Sequence, residues 1–218
     1  MDKRIPIFPV SYYKGKVENN DRLKGQLLPH INSKKDRLFV PEGWGTTKII
    51  TSIDGGGLTG DDSVNDFLYD SEELSKQYLE VLESFCDDNY VIEIDEIWFN
   101  YYINGEYQEQ HNHLNGSSEP RIKGVFPSTF SGVHFLCYDK EVHSPLTFKD
   151  PMVLLRSNSF EFRSHNYDEG HKPDISEGDL IMFPSYLEHE VKAGKPTPGN
   201  PRVTISFNLK LFLLEEEE

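Results

Sequence analysis

His111-Asn112-His113 is followed far downstream by His189 and then by Arg202-Val203-Thr204. Three imidazoles in that order can hold one metal, and the guanidinium–hydroxyl pair beyond them can hold a carboxylate. Together the two sets describe a metal-dependent enzyme with an acidic co-substrate. Side chains at i and i+2 of a strand share a face, so His111 and His113 can meet one ion while Asn112 points away. The third imidazole must come from elsewhere in the fold, and His189 sits beside a strand-like run. Three protein ligands leave open coordination positions, as a catalytic site needs. Imidazole suits iron, zinc, copper and nickel, so residue type alone leaves the metal open. The competing reading is a pair of polar strand histidines facing solvent, with Arg202 in a surface ion pair. The ordered company of His189 and Arg202 weighs against it.

Such a set needs a scaffold. From about Tyr90 the chain reads as short strands broken by Gly, Pro, Asn and Asp. The strands predicted are 91–102, 107–113, 129–138, 146–149, 159–163, 179–183, 190–192 and 202–213. That number suggests a mainly β, double-sheet jelly roll with a few supporting helices. The last strand alternates: Val203, Ile205, Phe207, Leu209 and Leu211 are apolar, while Arg202, Thr204, Ser206, Asn208 and Lys210 share the other face. An inner strand would turn that polar face to a ligand cavity, and an edge strand would turn it to water. Upstream, the i, i+4, i+7, i+8, i+11 spacing of Leu74, Tyr78, Val81, Leu82 and Phe85 predicts a helix over about 71–85, with Asp70 and Glu73 as a capping box. Residues 1–70 read as an irregular extension with strand candidates at 5–10 and 48–51. The whole chain, 1–218, is expected to form a single domain with its jelly-roll core at about 90–213.

Composition narrows the classes of function. The chain has 218 residues, 36% of them hydrophobic, and a net charge of -15. The acidic balance argues against a nucleic-acid backbone as partner. No apolar run is long enough to span a bilayer, and the first residues lack the apolar core of a signal peptide. Cys86 and Cys137 lie far apart and read as reduced and buried, which fits the cytoplasm. Oligomeric state is open.

The stretch from about Tyr90 to Leu211 resembles the iron(II)- and 2-oxoglutarate-dependent oxygenases. It is nearest to a bacterial and phage group, with a more distant likeness to prolyl 4-hydroxylases. The likeness rests on Trp98-Phe99-Asn100-Tyr101-Tyr102, Gly105 before His111-x-His113, and Ser131-Gly132-Val133-His134-Phe135-Leu136. It continues through Gly178-Asp179-Leu180, Phe183-Pro184-Ser185, His189 and Arg202-Val203-Thr204-Ile205-Ser206-Phe207-Asn208. The resemblance implies a double-stranded β-helix, Fe(II) as metal and 2-oxoglutarate as co-substrate. It makes His111 the first ligand and His189 the distal one. It gives Arg202 the far carboxylate of 2-oxoglutarate, with Thr204 donating a hydroxyl hydrogen bond and Tyr102 a phenol contact. The reaction implied consumes O2, releases succinate and CO2, and hydroxylates a peptidyl or small-molecule substrate, with no catalytic side chain beyond the metal centre. One departure stands out: the family's carboxylate ligand, two residues after the first histidine, is replaced by His113. Either three histidines bind the metal, or His113 leaves it to a water or a nearby carboxylate. We take His113 as a ligand.

A cupin-type metalloprotein shares this fold and is the alternative. Gly105 and His111-x-His113, with Glu119 later, look like a first cupin motif; Gly178, Pro184 and His189 look like a second. Such a protein could be a 2-oxoglutarate-independent dioxygenase, an isomerase or a small-molecule binder, and it gives Arg202 and Thr204 no role. A non-catalytic jelly-roll module would leave the three histidines idle. Gly55-Gly56-Gly57 reads as a turn, His134 as a satisfied core histidine, and His30, His143, His165 and His171 as surface residues. The loop 114–128 is expected to form part of the substrate entrance.

Overall fold

The computed structural model describes residues 10–37, 49–52, 76, 78–79, 90–113, 125–151 and 170–213. Nine strands and one long helix are seen among them: β1 (Tyr13–Lys16), α1 (Asn20–Lys34), β2 (Ile50–Thr51), β3 (Tyr90–Tyr102), β4 (Gln108–His111), β5 (Val125–Cys137), β6 (Leu146–Phe148), β7 (Asp179–Pro184), β8 (His189–Val191) and β9 (Arg202–Leu213). They form a six-stranded sheet in the order β1-β7-β5-β9-β3-β2 and a three-stranded sheet in the order β4-β8-β6. All pairings are antiparallel. From β3 to β9 successive strands alternate between the two sheets. That alternation winds the chain into a double-stranded β-helix, as expected.

β9 lies inside the large sheet, paired with β3 on one side and β5 on the other. Its two faces therefore meet two different cores. Val203, Ile205, Phe207 and Leu209 pack outward with Leu23, Ile31, Tyr78, Phe99 and Leu136. Arg202, Thr204, Ser206 and Asn208 turn inward, and all four are buried. The inner core between the sheets is built from Tyr102, Phe135, Phe148, Ile181, Phe183, Leu187 and Val191, among others. The polar alternation of β9 thus faces the interior between the sheets and not solvent.

α1 and β1 occupy the segment that the sequence reads as irregular. Gly25 and Pro29 both lie inside the helix and weaken its local signal. Tertiary packing compensates: Leu23 and Ile31 are buried, with Leu27 and Leu28 packed beside them, on the outer face of the large sheet. Its first residue, Asn20, accepts a hydrogen bond from His134 Nε2 at 2.8 Å and donates to the Leu136 carbonyl at 3.3 Å. Tyr78 hydroxyl meets His134 Nδ1 at 2.8 Å, and its ring stacks on Phe207. His134 is a satisfied core histidine, fully buried, with burial pushing its pKa down to about 3. Lys76, Tyr78 and Leu79 are helical, in agreement with the predicted 71–85 helix. The rest of that helix, its capping box, the 159–163 strand and the Gly55-Gly56-Gly57 turn lie outside the described residues.

His143 corrects the sequence reading, which places it on the surface. It is buried, accepting the Asp139 backbone N–H at Nδ1 (2.9 Å) and donating from Nε2 to the Asn200 carbonyl (2.9 Å). A loop histidine is drawn inside when both ring nitrogens find backbone partners there. His171 is exposed, as expected. Cys137 is buried and free; Cys86 and His165 lie outside the described residues.

Candidate active site

The turn after β3 carries the first half of the site. Gly105 sits at φ 82°, and a Cβ there would stand 2.7 Å from the Gly194 carbonyl oxygen. Only glycine fits both demands. The buried Glu106 carboxylate accepts the backbone N–H groups of Ile103 and Asn104, each at 2.6 Å, and fixes the reversal. Tyr102 at the end of β3 and His111 on β4 are thereby set on the same interior space.

β4 and β8 then bring two imidazoles face to face. His111 and His189 are register partners, with ring centres 4.3 Å apart. β4 ends at His111 rather than at 113, but the His113 N–H still pairs with the Ser185 carbonyl at 2.9 Å. Asn112 is exposed while His111 and His113 are half-buried, which is the i, i+2 alternation expected. The ligand nitrogens of His111, His113 and His189 all lie within 4.8 Å of one another.

Each ring is held by its far nitrogen. Nδ1–H of His111 donates to the Glu109 carbonyl at 2.7 Å, that of His189 to the Leu187 carbonyl at 2.9 Å, and that of His113 to Asn208 Oδ1 at 2.7 Å. This leaves three Nε2 lone pairs directed at a common space, the tautomer and orientation that a metal ligand requires. Burial lowers the pKa of all three rings, that of His113 to about 4. Neutral imidazoles are the coordinating form. The donor set fits a divalent transition metal.

At the other end of the same interior face lies Arg202, 3% exposed, with Nε and Nη1 lacking any hydrogen-bond partner among the described residues. The rings of Tyr102, Phe135 and Tyr138 surround its guanidinium, with Cζ 4.6 Å from the Tyr102 centroid. Burial raises the Tyr102 phenol pKa, and the Arg202 charge partly offsets that rise. Thr204 follows on the same buried face. A buried guanidinium without a counter-charge is costly, and a carboxylate from a ligand removes the cost. An open cleft lies beside it, lined by Tyr102, Arg202, Glu106, His143 and Lys195 among others.

The sequence profile of the family described as "Putative 2OG-Fe(II) oxygenase" matches residues 96–208. The match spans just over half of the chain and takes in every residue of the site. The chain belongs to this family of 2OG-Fe(II) oxygenases. A 2OG-Fe(II) oxygenase uses Fe(II) and 2-oxoglutarate, and the histidine cluster fits the iron. Solved structures agree in fold. The viral collagen prolyl hydroxylase from Paramecium Bursaria Chlorella virus-1, solved with 2OG, is 13% identical; the alignment covers 94% of this chain and 96% of that one, with TM-score 0.50. The non-heme alpha ketoglutarate dependent epimerase SnoN from nogalamycin biosynthesis is 11% identical, over 93% of this chain and 76% of that one, with TM-score 0.59. A comparison with curated protein sequences finds no match.

The structure thus gathers His111, His113 and His189 at one end of the buried interior face, and Arg202, Thr204 and Tyr102 at the other. Sequence reasoning gave no role to Gln108, Asn208, Ser131 or Ser185. Ser131 Oγ donates to Asn208 Oδ1 and meets Ser185 Oγ, both at 3.0 Å, so the group that orients His113 is itself held. The inward face of β9 was the signal for Asn208. The predicted entrance loop lies outside the described residues over 114–124, and from Val125 the chain is already in β5.

Proposed function

We propose that this oxygenase hydroxylates a peptidyl or small-molecule substrate, consuming O2 and 2-oxoglutarate and releasing succinate and CO2. The observation that carries the reading is the buried Arg202 guanidinium, whose Nε and Nη1 have no hydrogen-bond partner among the described residues, on the same interior face as three converging imidazoles. In this reading His111, His113 and His189 hold the iron through Nε2. Arg202 takes the far carboxylate of 2-oxoglutarate by paired N–H donors, and Thr204 and Tyr102 add hydroxyl contacts. The bound iron supplies the oxidising power, activating O2 at the expense of 2-oxoglutarate. The protein's share is placement. Arg202 would fix one end of the co-substrate and the metal held by the imidazoles the other, and the apolar side chains of Phe135, Phe183 and Leu187 would keep water away. No side chain has to serve as nucleophile or general base.

The cupin alternative leaves the buried guanidinium without a counter-charge, and the family match speaks against it. Among the described residues no helix is long and apolar enough to cross a membrane. The buried free thiol of Cys137 suits a reducing compartment, and we place the enzyme in the cytoplasm as one domain.

Anaerobic visible spectroscopy tests the proposal. Metal-free protein receives Fe(II) and then 2-oxoglutarate, and a charge-transfer band that needs both additions is expected. Succinate should then form on admitting O2. Metal binding without a band or 2-oxoglutarate affinity would return the protein to the cupin reading.

A further inference from the structure

A line of buried contacts runs from the guanidinium to the histidines. Arg202 stacks on Tyr102, and the Tyr102 hydroxyl donates to Gln108 Oε1 at 3.2 Å. Gln108 Nε2 in turn donates to His111 Nε2 at 3.3 Å. Gln108 is buried at the start of β4, three residues before His111. Both ends of its amide are engaged, one of them on the lone pair that a metal would take. His111 does not need this bond for its orientation, because the Glu109 carbonyl already holds Nδ1.

Occupation of His111 Nε2 by a metal removes the acceptor from Gln108. Its N–H would remain buried, still tethered through Oε1 to Tyr102, and buried donors do not stay unpaired without cost. The amide lies between the imidazoles and Arg202, the two ends that our oxygenase reading assigns to 2-oxoglutarate, and that co-substrate offers acceptor oxygens. Resting on that reading, we propose that Gln108 is a co-substrate-binding residue. Its Nε2–H serves His111 in the metal-free protein and a 2-oxoglutarate oxygen once metal is bound. Metal loading and co-substrate binding are coupled through one amide.

The test uses the full chain, with Mn(II) as an oxygen-inert probe of metal binding and 2-oxoglutarate titrated anaerobically against the Fe(II) form. Gln108→Leu should bind Mn(II) within about twofold of wild type and bind 2-oxoglutarate about tenfold more weakly. The factor by which 2-oxoglutarate tightens Mn(II) should shrink equally, because such coupling is reciprocal. Gln108→Asn, which keeps the amide but shortens its reach, gives the same loss in a variant chosen to fold if the leucine does not. Loss of Mn(II) with full 2-oxoglutarate affinity at saturating metal would make Gln108 a mere strut for His111 and overturn the proposal. A wild-type band with both variants unchanged overturns it alone. No band in wild type, with Arg202→Met no different, overturns the oxygenase reading and this proposal together.

Discussion

His113 Nδ1 donates to Asn208 Oδ1 across 2.7 Å, tying the imidazole in the carboxylate slot to the inward face of the central strand. Asn208 is 4% exposed and is supported by Ser131 Oγ, so it has one way to point. The proposed third ligand is therefore oriented by the scaffold like the other two. Asn208→Leu removes the acceptor and should weaken metal affinity by about 10- to 100-fold. His113→Ala should lose as much or more, whereas His113→Asp should keep the metal. Mn(II) titration followed by paramagnetic resonance ranks the three; full affinity in His113→Ala would remove it from the ligand set.

Arg202 carries opposite consequences for stability and binding. Arg202→Met takes a buried charge with no ion-pair partner among the described residues out of the resting protein, and should stabilise the ligand-free form by about 1–4 kcal/mol. The same change should weaken 2-oxoglutarate by about two orders of magnitude, the loss expected when one side of a buried charge pair is deleted. Urea unfolding with and without 2-oxoglutarate reads both effects. A variant destabilised without ligand would mean the guanidinium has partners in solution.

Acid should loosen the fold through His134. Its folded pKa is lowered by burial to about 3, against an ordinary value near 6.5. Between those values the unfolded chain takes up a proton that the folded chain refuses. Stability from this residue is complete above pH 6.5 and declines as pH falls towards 3, by at most about 1.4 kcal/mol per pH unit. His134→Gln keeps a donor and an acceptor for Asn20 and Tyr78 without titrating. Its unfolding free energy should fall less steeply between pH 7 and 5; an unchanged slope would exonerate His134.

Gly132 and Phe207 share a register position at the junction of β5 and β9. The Phe207 ring occupies the space that a Cβ on residue 132 would need. Gly132→Ala should cost about 1–3 kcal/mol by overpacking. Adding Phe207→Leu should recover part of that loss, a favourable coupling measurable in a double-mutant cycle of thermal unfolding. Simple additivity would show the ring to be free to move aside.

How much of this was legible follows from which signals are local. The alternation of β9 and the i, i+2 spacing of His111 and His113 are properties of a strand, so both survive in the sequence. The grouping of His189 with His111 and His113 is suggested by residue type and order, but their register is not, since the pairing of β4 with β8 is a tertiary fact. α1 was hidden because Gly25 and Pro29 oppose helix locally, and the packing of Leu23 and Ile31 that outweighs them is remote in sequence. Gln108 carried no signal at all. Its amide acquires meaning only from Tyr102 on one side and His111 on the other. His143 misled because a loop position says nothing of the carbonyl at Asn200 that draws the ring inward.

Arg202, Thr204, Ser206 and Asn208 occupy every second place on one strand. Same-face positions on a strand recur about every 6.7 Å, so β9 is a graduated scale laid along the interior between the sheets. Substitution can change what stands at each mark, but the marks themselves cannot be moved. A residue inserted or deleted between Arg202 and Phe207 would put both on one face, turning either Phe207 inward or Arg202 among the apolar side chains behind the sheet. Reach from this inner face is therefore tuned by side-chain length.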